Sequence, residues 1–162
     1  MPRYQTPEMK AMQDSLRNLV ATALKAEWTE ISGRINTVFF TPGVRTRDGI
    51  VAWADVRCRP GWKSEYGNVF VGVDTWKEIQ AASIRRTQPI YVVFSLPPPT
   101  GDVWCRYQPA LDNHVFTKTG GRLDRGDPED VGKMAFIPIR FFAPVGKESP
   151  AINSPQQRIA GF

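Results

Sequence analysis

Asp55-Val56-Arg57-Cys58-Arg59 closes one apolar run, and Asp74, Trp76 and Lys77 open the amphipathic segment that follows the next. A carboxylate and several cations at one strand edge of an α/β domain are what metal-dependent phosphodiester chemistry requires. One or two divalent cations must be held by carboxylates, a water activated, and the charge building on phosphorus offset by a cation. Hard oxygen ligands point to magnesium or manganese. The same letters have a plainer reading, with Asp55 paired to Arg57 or Arg59 as an edge ion pair. Arg57 stays protonated at any relevant pH, so it can hold a phosphate but cannot act as a base.

The elements that must position these residues follow from periodicity. Met9, Met12, Leu16, Leu19, Val20, Ala23 and Leu24 recur at helical spacing from Pro7 to about Ala26, with Thr6 as N-cap and Pro7 in the first turn. Lys10, Asp14, Arg17 and Lys25 form the other side of this helix, read as a solvated face. Ile35 to Phe40 and Ile50 to Cys58 read as strands joined by a long hairpin loop that closes with Arg47-Asp48-Gly49. Arg59 to Gly67 is a loop with unusually large side chains, Trp62, Lys63 and Tyr66 among them. Asn68 to Val73 alternates as a third strand, and Asp74 is the expected N-cap of a helix to about Arg86, packing through Trp76, Ile79, Ala82 and Ile84.

Pro89 to Leu96 is apolar almost throughout, the pattern of a central strand covered on both faces. Asp102 to Tyr107, His114 to Lys118 and Met134 to Phe142 are further short strands, the last carrying Pro138 and so expected at an edge. Thr119 to Gly132 is loop chemistry of mixed charge, and its Asp124-Arg125-Asp127 cluster reads as a self-paired loop. From Ala143 onward Gly, Pro, Ser and Gln dominate, so residues 1–142 are expected to form one domain and 143–162 a flexible tail.

At 162 residues, with 41% hydrophobic and 11% aromatic residues, the chain can bury a core of its own. The net charge of +5 suits a polyanionic partner. One histidine and two separated cysteines, Cys58 and Cys105, argue against a zinc centre and read as buried thiols. No window approaches a membrane span and the start lacks the apolar core of a signal peptide, which suggests a cytoplasmic protein.

The order of helix, hairpin ending in acidic-x-basic, third strand, crossover helix and further strand resembles the restriction-endonuclease-like core of the PD-(D/E)xK superfamily. More narrowly, Asp55 to Arg59, Asn68 to Lys77 and Pro89 to Phe94 are similar to small bacteriophage-type proteins carrying Glu-x-Lys-Cys-Arg at the first position. Gly120 to Asp130 and Ile137-Pro138 match the C-terminal pattern of the same proteins. The resemblance implies an α/β fold with a central mixed sheet, an N-terminal helix and a crossover helix. It also implies magnesium or manganese as cofactor and DNA as substrate. It makes Asp55 the metal carboxylate, puts Arg57 where lysine is expected, and places the first acid at Asn36 or Asp48 according to the hairpin alignment. Lys77 could then replace the missing lysine from the neighbouring helix, and Glu27 or Glu30 could supply another carboxylate.

Three functions are consistent with these letters. The first is a metal-dependent DNA nuclease, or a descendant that has lost cleavage, using Asp55, Arg57 and Lys77. The second is a non-catalytic module gripping nucleic acid or a protein through Arg57, Arg59, Lys63, Arg85, Arg86 and Arg122, with Trp62 and Tyr66 as candidate stacking residues. The third is a virion structural or assembly component whose tail orders on a neighbour. A second carboxylate within bridging distance of Asp55 separates the first from the others.

Overall fold

Thr6 begins the first helix as expected, its hydroxyl accepting the Met9 N–H at 3.1 Å with Pro7 in the first turn. In this computed structural model, which describes residues 6–119 and 132–148, the helix α1 runs Pro7–Leu24. It stops at Lys25, whose left-handed backbone (φ 54°) returns its N–H to the carbonyls of Ala21 and Thr22. Leu16, Val20 and Ala21 are buried, whereas Met12 and Leu19, expected on the packing side, are each 40% exposed.

The expected α/β architecture is present. Strands β1 (Glu27–Glu30), β2 (Thr37–Phe40) and β3 (Ile50–Cys58) form an antiparallel meander. After β3 come β4 (Asn68–Gly72), helix α2 (Val73–Arg85), β5 (Ile90–Ser95), β6 (Asp102–Arg106), β7 (Phe116–Thr119), β8 (Lys133–Pro138) and β9 (Ala143–Pro144). The main sheet has the order β1-β2-β3-β5-β6-β9. Its parallel pair, β3 with β5, requires the crossover that α2 supplies, with Trp53 to Cys58 alongside Ile90 to Ser95. A second, three-stranded sheet has the order β4-β8-β7.

Two apolar clusters sandwich the main sheet. On one face α1 packs Leu16, Val20 and Ala21 against Phe39, Ala52, Ala54, Val56 and Val93. On the other, α2 and the small sheet bring Trp76, Ile79, Val69, Val71, Ala135 and Ile137 against Val92, Phe94 and Cys105. From Ala52 onward β3 alternates: Ala52, Ala54 and Val56 face α1 and Trp53 faces the α2 side, whereas Val51, at the bulge where Phe40 pairs with Ile50, also packs on the α1 cluster. β5 is covered on both faces, as its apolar run predicts.

Several sequence expectations are corrected. β1, short and polar in sequence, forms because its backbone pairs with β2 from Glu27 opposite Phe40 to Glu30 opposite Thr37. Arg17 is not on a solvated face: it is 1% exposed and donates from Nε to the Thr37 hydroxyl at 2.8 Å. Helix α2 is capped by Gly72, with Asp74 in its first turn, and Ile84 points outward. His114 lies in a 3-10 turn (Pro109–His114), against the Phe141 ring. β8 is the central strand of its sheet, not an edge, because Pro138 is its last residue and no interior ladder N–H is lost. The expected tail starts as structure: β9 pairs with β6, and the Trp104 indole donates to the Lys147 carbonyl at 2.7 Å. Both cysteines are buried free thiols, as read.

Candidate active site

Asp55 enters the site from the middle of β3, on the α2 side, with Val92 beside it in register. Its carboxylate has no solvent exposure. Arg57, two residues on and therefore on the same face, donates from Nε to Asp55 Oδ2 at 2.9 Å. The Asp55 charge raises the Arg57 pKa above its ordinary value, and this outweighs the opposing effect of burial. The other carboxylate oxygen, Oδ1, is buried with no hydrogen-bond partner. The sequence left open whether Asp55 is a metal ligand or one half of an ion pair; the folded chain makes the ion pair.

Asn36 comes close by a different route. Thr37 lies opposite Ala54, so one further step of the register brings Asn36 opposite Asp55. The Asn36 amide does not point at the carboxylate. It accepts the Val56 N–H through Oδ1 and donates Nδ2 to the Val56 carbonyl, both at 3.0 Å, acting as an extra rung on the ladder. Oδ1 also accepts the Thr37 hydroxyl at 2.9 Å, and that hydroxyl in turn accepts from Arg17. The Asn36 side chain is thus tied into the polar cluster on the α1 side.

The other expected ligands sit elsewhere. Glu30, opposite Thr37 and so on the α1 face, is paired with Lys10 at 2.6 Å and with Arg17 at 3.7 Å. Asp14 completes that cluster, 2.9 Å from Arg17 and 2.8 Å from Lys10. Asp48 is exposed in the 3-10 turn Arg47–Gly49 that precedes β3. The five residue steps from Ile50 to Asp55 span roughly 17 Å at the strand rise, which keeps Asp48 well away from Asp55 along the strand. Gly49 makes that turn possible: a Cβ there would lie 2.0 Å from the Val44 carbonyl oxygen. Glu27 accepts the Gly43 N–H at 2.7 Å and lines a shallow depression between α1 and β1 that holds none of the other candidates.

Of the expected cations, Arg59 stays with the site. It spans from β3 to the small sheet, with Nη2 3.3 Å from the Phe70 carbonyl and the guanidinium over the Phe70 and Phe94 rings. Lys77 is exposed on α2 and Lys63 exposed in the loop before β4. At the start of α2, Asp74 pairs with Arg34 at 3.6 Å on the surface. Trp62 corrects the expectation of a stacking residue: it is buried, its indole N–H held by the Asn68 carbonyl at 2.7 Å, because an apolar ring of that size completes the core beneath the loop. Arg122 and the Asp124-Arg125-Asp127 cluster lie outside the described residues.

In this arrangement the described residues do not by themselves complete a divalent-cation centre. Magnesium and manganese need several oxygen ligands, and the described residues offer one carboxylate whose Oδ2 already faces a fixed guanidinium. The Asn36 oxygen is engaged by two donors. Among the described residues no group of three or more His, Cys, Asp or Glu is placed to hold a metal. Instead, β3 presents a clamped guanidinium near its C-terminal end, an arrangement suited to an oxyanion.

Among the described residues no helix is long and apolar enough to cross a membrane. No curated protein and no solved structure matches the chain. Residues 1–145 match the family model described as phage putative PDDEXK endonuclease. With a mixed central sheet behind α1, and with Asp55 and Arg57 on β3 where the acidic-x-basic motif is expected, the chain belongs to that family.

Proposed function

We propose that this protein acts on DNA and grips the phosphodiester backbone through Arg57 and Arg59 at the C-terminal end of β3, as a nuclease-fold binding protein in the host cytoplasm. The observation that carries this reading is the Asp55–Arg57 pair. It uses Nε alone and leaves both Nη nitrogens, on a side chain 30% exposed, to a ligand. A guanidinium fixed in this way presents a bidentate donor pair to phosphate with little further ordering. The test is fluorescence anisotropy with labelled single-stranded, duplex and branched DNA across a salt series. Binding that weakens steeply with salt and needs no divalent ion is expected. Absence of binding at low salt to all three forms defeats the proposal.

The orphaned Asp55 Oδ1 favours a second reading, a metal-dependent nuclease, since an unsatisfied buried carboxylate oxygen is the kind of atom a cation satisfies. Under it, cleavage of plasmid or branched DNA with magnesium or manganese is lost in Asp55→Asn. Cleavage that survives that change removes Asp55 from the chemistry.

A further inference from the structure

The small sheet carries an aromatic row that meets the β3 site only at Arg59. Phe70 on β4 lies opposite Phe136 on β8, and Phe136 lies opposite Phe116 on β7, so the three rings line one face. Val69, Val71, Ala135 and Ile137 alternate with them and enter the core, so the aromatic face is the one turned away from it. Ring centroids are 5.7 Å apart for Phe70 and Phe136 and 5.2 Å for Phe136 and Phe116, the latter pair tilted by only 8°. Phe116 is 44% exposed, and the other two rings are half-buried.

Cations accompany the row. The Lys118 ammonium stands 5.1 Å from the Phe136 ring and the Arg59 guanidinium 5.0 Å from Phe70. Arg59 also ties the row to the C-terminal end of β3 through its bond to the Phe70 carbonyl. Aromatic cross-strand pairs stabilise small sheets by themselves. That role requires neither partial exposure nor positive charge beside the rings. Flat apolar rings interleaved with cations match a strand whose bases stack on side chains while its phosphates meet ammonium and guanidinium groups. A duplex cannot use such a surface, because its base faces are already stacked on one another.

We propose that the Phe70–Phe136–Phe116 face is a stacking platform for single-stranded DNA, leading a displaced strand from the small sheet to Arg59 and Arg57. This rests on the DNA reading above and names the form of DNA it takes. The test uses anisotropy with a labelled oligo-dT strand, a hairpin duplex and an oligo-U strand, for the parent and for Phe116→Leu, Phe136→Leu and Phe116→Tyr, with thermal melts of each. Phe116→Leu should weaken oligo-dT binding about tenfold, the loss expected for one stacking partner, and leave duplex binding and melting temperature near the parent's. Phe116→Tyr should bind as the parent does. The platform is overturned if both leucine variants bind oligo-dT as tightly as the parent, or if the parent prefers duplex or oligo-U. A parent that binds no nucleic acid fails the DNA reading itself, a result distinct from a parent that binds DNA indifferently to these substitutions.

Discussion

Arg57 Nε lies 2.9 Å from Asp55 Oδ2, and the Asp55 side chain is wholly buried while the Arg57 side chain remains 30% exposed. The pair therefore has one dry end and one wet end. Breaking it from the wet end strands a charge: Arg57→Met should destabilise the fold by about 3–5 kcal/mol in urea unfolding, because Asp55 loses its partner. Replacing both, Asp55→Leu with Arg57→Met, should return stability to near the parent's or above it, since both desolvation penalties vanish. A double variant as weak as the single one would show that the pair is not the source of the loss.

Asn36 predicts a smaller effect of a different kind. Its amide satisfies both the N–H and the carbonyl of Val56. Asn36→Ala should cost about 1–3 kcal/mol, the penalty for leaving such groups unpaired, and should accelerate hydrogen exchange at the Val56 amide. Unchanged exchange there would mean that water replaces the amide without loss.

The same position bears on metal binding. Asn36→Asp combined with Arg57→Lys installs a carboxylate just before β2, opposite Asp55, and a lysine on β3 in place of the arginine. Calorimetry with manganese should show binding by this double variant and none by the parent. Manganese binding by the parent, lost in Asp55→Asn, would make Asp55 a metal ligand in the protein as it stands.

Burial raises the pKa of the Cys58 thiol, with the Asp102 charge adding to it, and pushes Cys105 up to about 12. Neither thiol should react with Ellman's reagent in the folded protein near pH 8, and both should react in denaturant. Because the folded pKa of Cys105 lies above the ordinary 9.0, the unfolded chain releases that proton first. The stability is complete below about pH 9 and declines as pH rises toward 12. Cys105→Ala should flatten this alkaline decline in urea unfolding.

Lys63 is exposed beside the route from β3 to the small sheet and makes no ion pair among the described residues. If DNA follows that route, Lys63→Gln should weaken binding evenly across sequences and reduce the salt slope of log K by about one. An unchanged slope would place the strand elsewhere.

Much of the scaffold was legible in the letters. Thr6-Pro7, the long apolar run of β5, and Trp76, Ile79 and Ala82 at helical spacing each carry a local physical signal, and each lies where that signal puts it. β1 was not legible, because Glu27-Trp28-Thr29-Glu30 becomes a strand by pairing with β2 and has little strand pattern of its own. The burial of Arg17 and Trp62 was hidden for a related reason. A long polar-tipped side chain gives the same letter whether its tip meets water or a hydroxyl or carbonyl from another element.

For the site, the sequence by itself determined the inventory: a carboxylate and a guanidinium two residues apart on one strand, hence on one face. Only the tertiary structure decided what they do to one another. It buried Asp55 against the α2 side, turned Asn36 onto the Val56 backbone, and sent Glu30 to the opposite face and Asp48 to the turn before β3. It also aligned Phe70, Phe136 and Phe116, residues from three separate stretches whose register is set by pairing between strands. Side-chain alternation is fixed within a strand, but which strands become neighbours, and in what register, is settled by the packing of the whole chain.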